Sequence, residues 1–227
     1  MHQPTLFFHE LPFDQLNKLI DSKYNLEIDP RTTSHSLLSV NKQLVEFKRL
    51  LECFYFSPYK FEVSPFFRLD PLMIFNFLKF SHQYYLDKKI PEIEQYIQLV
   101  RAADDTPEVR VLSILFNDYK NHLVQHISFE EENVFPLIHQ IIESRSDDTL
   151  LCHSVQVKTQ LASFYLEHSD TEKDLNAIQL LVGQLSQGET GVASILSNQL
   201  AVFDVDLKLH HLLEEEILIP SVLDILY

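Results

Sequence analysis

Two stretches of this chain match each other in register. One is His126-Ile-Ser-Phe-Glu130-Glu131-Glu132-Asn-Val-Phe-Pro136, and the other is His210-His-Leu-Leu-Glu214-Glu215-Glu216-Ile-Leu-Ile-Pro220, 84 residues further on. The histidine, all three glutamates and the proline recur at the same offsets. On a helix, residues i and i+4 lie on one face a turn apart. His126 with Glu130, and His210 with Glu214, can therefore each direct an imidazole and a carboxylate to one spot, which is how helical bundles build metal sites in their cores. A lone His-x-x-x-Glu more commonly makes a hydrogen-bonded surface pair. It is the repetition that points to metal.

Such pairs need long helices to carry them, and the chain supplies these. Pro71 follows Asp70 at a helix start, a favoured place for proline. The stripe Ile74, Phe75, Leu78 and Phe80 then leads to His82. Pro91 should kink or break this helix, and the pattern resumes through Ile93, Ile97 and Val100 before a turn at 102–106. Thr106-Pro107-Glu108 reads as cap, first residue and first-turn acid of a second helix, running to about Ser144 with Pro136 inside it. A third helix is expected over about 150–185, carrying Tyr165 and His168, with Gly188, Thr190 and Gly191 in the turn after it. A fourth is expected from about Ala193 to Leu226. The fold class predicted is all-α, an up-down-up-down four-helix bundle over residues 70–227. Residues 1–69 form an N-terminal helical extension without a chemical motif. It holds a short helical pattern at Asp14 to Lys23, a longer one at Ser34 to Phe56, and a proline-broken aromatic connector at Phe54 to Leu69.

Composition agrees and excludes some functions. Glycine occurs only three times in 227 residues, which disfavours a turn-rich β fold. The net charge of -15 leaves no basic surface for nucleic acid or an anionic membrane. Cys53 and Cys152 make no closely spaced pair and no disulfide framework, which fits a reducing cytoplasm. Met1 to Phe13 lacks the pattern of a signal peptide, and no stretch approaches the roughly 20 apolar residues of a membrane span.

The repeat reaches beyond its two opening stretches. His82 lies 44 residues before His126, and His168 lies 42 before His210. Each half is thus a helix with one histidine followed by a helix with His-x-x-x-Glu. Antiparallel pairing would gather His82, His126, Glu130, His168, His210 and Glu214 at the centre. Taken singly, His82 and His168 could be satisfied core histidines; the symmetry selects both. Six ligands exceed what one tetrahedral zinc takes. They suit two ions bridged by carboxylates, roughly 3.5–4 Å apart. Imidazole and carboxylate without thiolate favour iron, with manganese or zinc behind it. His122, one turn before His126, and His153, near the start of the third helix, are alternates. Glu131, Glu132, Glu215 and Glu216 are expected to face solvent, as are His139 and His211. His2, His9 and His35 are expected to be incidental.

These residues resemble the hemerythrin-like (HHE cation-binding) domain, and more closely the di-iron proteins linked to repair of iron-sulfur clusters. The resemblance rests on Phe80-Ser-His82-Gln-Tyr-Tyr-Leu with Ile90-Pro-Glu-Ile, on His126 to Pro136, on Glu167-His168-Ser-Asp, and on Asp206-Leu with His210 to Pro220. It covers about residues 70–227 and implies a non-haem di-iron site on His82, His126, Glu130, His168, His210 and Glu214. Two departures stand out. The repair proteins tend to carry a further histidine between the first two helices, where this chain has Arg101, Asp104 and Asp105; Asp104 or His122 could substitute. The repair proteins also begin with a short domain bearing adjacent cysteines, where residues 1–69 have only Cys53.

Three functions follow as expectations. The first is a cytoplasmic di-iron protein that binds or senses O₂ or NO, or helps restore iron centres under stress. The second is a di-iron oxidase or peroxidase, with Tyr165 near the site. The third is a metal-free helical module acting through partner contacts.

Overall fold

The computed structural model describes residues 35–56, 62–144, 171–186 and 191–225, and no strand occurs among them. Helix α1 spans His35–Phe56, and a 3-10 turn follows at Ser64–Arg68. Helix α2, Pro71–Tyr84, continues through Tyr85–Lys89 into α3, Ile90–Ala103. Helix α4, Pro107–Phe129, continues through Glu130–Val134 into α5, Phe135–Glu143. Helix α6 is Thr171–Leu185. Helix α7, Val192–His211, continues through Leu212–Leu218 into α8, Ile219–Ile225. The described residues thus make five helical columns. The pattern at Asp14 to Lys23 and the first part of the expected third helix lie outside them.

The helix starts form as their sequences direct. The Asp70 side chain accepts the Leu72 N–H at 3.1 Å, and Thr106 Oγ1 accepts that of Val109 at 3.4 Å. Each cap satisfies a donor that the first turn cannot pair internally. Between α3 and α4 the chain turns at once, and Asp105 receives both Arg101 and Arg110, at 3.0 and 2.9 Å.

The prolines do not break their helices. Proline has no N–H to give to the carbonyl four residues back. At Pro91, Pro136 and Pro220 the residue just before the proline reaches back five residues instead of four. Ile90 N–H donates to the Tyr85 carbonyl, Phe135 to Glu130 and Ile219 to Glu214. Each proline is therefore accommodated by one wide π-type turn on its N-terminal side, and the column continues. Such turns are frequent at functional sites, and Glu130 and Glu214 stand in two of the three.

The column 71–103 packs on 107–143 and on 192–225, and α6 packs on α4 and α7. The apolar core is divided in two. One cluster gathers Phe47, Leu51, Phe66, Phe77, Leu78, Phe135, Leu209, Leu213 and neighbours; the other gathers Tyr85, Ile93, Phe116, Leu123, Leu175, Leu200 and Phe203. Along each of the three long columns the pattern passes from one cluster to the other, and buried polar side chains mark the passage. Ser81 and His82 do so on the first column, Glu130 on the second, and Asp206, His210 and Glu214 on the third. Helix α1 belongs to the first cluster. Phe47 sets its ring edge-on to Phe66 and Phe77, and the Tyr55 hydroxyl donates to Asp206 Oδ1 at 2.7 Å.

Candidate metal centre

The polar band between the two apolar clusters is the candidate site. His82 arrives from α2, Glu130 from the turn after α4, and His210 from the end of α7; Glu130 is fully buried and the histidines nearly so. His82 Nε2 lies 3.0 Å from Glu130 Oε2 and 3.1 Å from His210 Nε2. One donor atom from each of these three residues lies within 4.8 Å of the other two. Two more residues flank them. His126 Nε2 lies 2.9 Å from the other Glu130 oxygen, Oε1, and Glu214 Oε2 lies 3.8 Å from His210 Nε2.

The Glu130 carboxylate therefore faces two ways, with Oε2 towards His82 and Oε1 towards His126. That is the disposition of a carboxylate shared between two positions. Donors about 2.1 Å from one ion and at right angles around it are about 3.0 Å apart, so the spacing of His82, His210 and Glu130 Oε2 fits one ion. The donor set, nitrogen and oxygen without sulfur, fits iron, manganese or zinc. The rings are held by packing: His82 stacks on Phe135 at 5.0 Å and 9° between planes, and Tyr85 presents its edge to His210 at 5.8 Å.

The electrostatics run in one direction. Burial, with the Glu130 carboxylate next in weight, pushes Glu214 well above the carboxylate range. Burial would by itself lower His82, but its hydrogen bonds to Glu130 and Glu131 outweigh that and hold it above its ordinary value. The band thus gathers negative charge in a dry place and compensates it with protons where no cation is present. Stability should follow. A group whose pKa is raised by folding stabilises fully below its unfolded value, and that contribution is lost as pH rises through the folded one. Glu214 and His82 both have this sign. We expect the melting temperature of metal-free protein to fall as pH is raised above about 6.5, the unfolded value for His82. A divalent ion that replaces the protons should restore it. Thermal melts across pH, with and without metal, measure both; a metal-free midpoint that rises through this range would contradict the assignment.

Of the residues singled out from sequence, the structure brings together His82, His126, Glu130, His210 and Glu214. His168 and His153 lie outside the described residues, as do Tyr165 and Cys152. His122 and Asp104 stay outside the cluster. His122 is exposed on α4, and Asp104 is exposed at the end of α3, 22 residues and about 33 Å of helix beyond His82. Among the triplets, Glu132 and Glu216 face solvent as expected, and Glu215 is half-buried beside His211 at 3.3 Å. Glu131 departs from expectation. It is half-buried, and its Oε1 lies 2.9 Å from His82 Nδ1. Successive residues of a helix point about 100° apart, so Glu131 turns away from Glu130 on its own column; it reaches His82 because α2 passes on that side.

Ser81 and Tyr85 were also missed, although a signal was there. Ser81 precedes Pro91 by the same ten residues that separate His126 from Pro136 and His210 from Pro220. In that register Ser81 takes the histidine's place and Tyr85 the glutamate's. Both are buried against the third column: Tyr85 donates its hydroxyl to the Asp206 carbonyl at 3.0 Å, and Ser81 Oγ lies 3.3 Å from His210 Nδ1.

Among the described residues no helix is long and apolar enough to cross a membrane. No family model matches the chain, and no curated protein matches it.

Proposed function

We propose that this protein is a metal-binding helical bundle of the hemerythrin-like kind, holding two iron ions and acting on a small diatomic ligand, O₂ or NO, in sensing or in the stress response and repair of iron centres. The observation that carries the reading is the two-way Glu130 carboxylate, with His82 at one oxygen and His126 at the other and His210 beside His82, buried where three columns meet. In this reading the columns 71–103, 107–143 and 192–225, with α6, belong to the four-helix bundle, and α1 is added to its side. His82, His210 and Glu130 would hold one ion. His126 and Glu130 would hold the second together with His168, and Glu214 would complete the set.

An iron pair held there would supply a reversible change of oxidation state and a position open to a small ligand. The chain's own residues do the rest. The two apolar clusters flank the band on either side. A low-dielectric surrounding strengthens each charge interaction within the band. A donor set rich in neutral imidazole leaves the metal less electron-rich than an all-carboxylate set would, which suits binding of a neutral diatomic molecule.

The test is metal analysis with a visible spectrum after anaerobic loading with iron. The reading requires about two iron per chain and absorption bands that respond to dithionite and to NO. Turnover of peroxide by the loaded protein would move the assignment to an oxidase or peroxidase. Failure to retain any transition metal would leave the metal-free module, in which His82, Glu130 and His210 serve only as one another's hydrogen-bond partners.

A further inference from the structure

We propose that the outward face shared by α4 and α6 is where two copies of this chain meet, as a two-fold symmetric dimer. The inference goes beyond the metal reading and does not depend on it.

Helix periodicity sets the face. On α4, Leu112 and Phe116 are buried, and Ile114 stands about 200° of helix from each, 61% exposed, with Val111 and Leu115 exposed beside it. On α6, Leu180 is 71% exposed between the buried Ile178 and Val182. Ile114 and Leu180 are the two most exposed large apolar side chains among the described residues. Their helices pack on each other, and the two positions lie at one level. Helix α4 starts at Pro107, about 29 Å of helix before His126, and α7 starts at Val192, about 27 Å before His210. The turns that precede α4 and α7 are therefore at the same end of the molecule, remote from the polar band. Ile114 stands about 10 Å from that end along α4, and Leu180 about 8 Å from it along α6.

The surroundings carry no charge. Val111 to Asn117 contains no ionisable residue, and between Leu175 and Phe203 only Glu189 is ionisable. This occurs in a chain where 22% of residues are charged and the net charge is -15. Contiguous exposed apolar surface marks a place of interaction, and the lack of charge decides the occupant. A two-fold interface sets one patch against itself, so a charge near the axis meets a like charge. Apolar side chains meet themselves without that cost, and so do amides, which both donate and accept. Asn117 and Gln184, one turn on from Ile114 and Leu180, are exposed amides of this kind. A basic partner would instead be steered to the acidic remainder of the surface. An acidic partner finds no lysine or arginine from Val111 to Asn117 or on α6 beyond Leu175. Interfaces between identical chains are correspondingly apolar, with charged residues depleted at their core.

The test is sedimentation velocity of the full chain over a range of concentration and salt. The expected result is a monomer–dimer equilibrium that moves towards dimer as salt is raised. Screening weakens the mutual repulsion of two chains of charge -15 and leaves apolar contact intact. Leu180→Glu and Ile114→Glu each set a like charge against itself and should raise the dimer dissociation constant about tenfold or more. Leu99→Glu, on an exposed position of α3 away from the face, should leave it unchanged. All three positions are exposed, so no substitution opens the core, and helical circular dichroism checks that each variant folds. A wild type that stays monomeric at every concentration and salt would overturn the proposal and leave the face to another segment of the chain or to a different protein. A dimer that salt weakens would also overturn it, as would one that Leu99→Glu disrupts as much as Leu180→Glu does.

Discussion

Glu130→Gln is expected to abolish metal loading. The substitution keeps the shape of the side chain and most of its packing, but it removes the charge and replaces one of two acceptor oxygens by a donor NH₂. In the native site one oxygen lies 3.0 Å from His82 Nε2 and the other 2.9 Å from His126 Nε2. An amide can face only one of them with oxygen. Loss of an outer-sphere partner typically costs about 10- to 100-fold in metal affinity; losing a carboxylate that both proposed ions would share should exceed that range. His210→Ala should behave likewise, because Nε2 of that ring sits among the three closest donors. The matching controls are Glu132→Gln and His211→Ala, on exposed or half-exposed positions of the same turns. Iron content after anaerobic loading reads all four. Equal retention by Glu130→Gln and Glu132→Gln would refute the assignment of the inward face. A loaded wild-type protein should also melt higher than the Glu130→Gln variant in the same iron solution. A ligand present at 100 times its dissociation constant stabilises by about 2.7 kcal/mol.

The second large effect is expected far from the metal donors. Phe47 is fully buried in α1, with ring centroids 6.2 Å from Phe66 and 5.1 Å from Phe77, both edge-on. Phe77 lies on the helix that carries His82. Truncating a buried phenylalanine leaves a cavity that packed neighbours fill only in part, at a cost of about 3–5 kcal/mol. Phe47→Ala should therefore lower the denaturant midpoint by that amount of stability at an unchanged slope. Val45→Ala, on the same helix but 38% exposed, should stay within about 0.5 kcal/mol of wild type. If the two variants were equally mild, α1 would be an appendage whose rings contribute nothing to the common core. The Tyr55 hydroxyl on Asp206, one turn before His210, is a second tie between α1 and the column bearing the site.

Much of the arrangement was legible because it is local. Helix starts at Asp70 and Thr106 follow from a side-chain oxygen within reach of the next turn's N–H. The pairing of His126 with Glu130 follows from i,i+4 spacing. Apolar periodicity places Val109, Leu112, Leu115, Phe116, Tyr119 and Leu123 on the inward stripe of α4; all are buried except Leu115, which is 36% exposed. Local reasoning failed where a local fact had more than one outcome. A missing proline N–H can kink or end a helix, or it can be absorbed by a wide turn, and packing on both sides of Pro91, Pro136 and Pro220 favoured the third. Glu131 was illegible for a related reason: its role depends on which helix passes beside it, and neither spacing nor composition of its own helix carries that information. Ser81 carried a signal, the ten-residue distance to Pro91, but not the identity of its partner.

The matched stretches thus fixed, from sequence alone, which side chains share a helical face: His126 with Glu130 and His210 with Glu214. Hydrogen bonding along one helix repeats every few residues, so three or four positions suffice to determine it. Only the tertiary structure decided that His82 Nε2 meets His210 Nε2 across 128 residues of chain. It also decided that Glu130 divides its two oxygens between His82 and His126, and that Ser81 and Glu131 stand behind the rings. Those contacts depend on how columns rotate and slide to close two apolar clusters around a polar band.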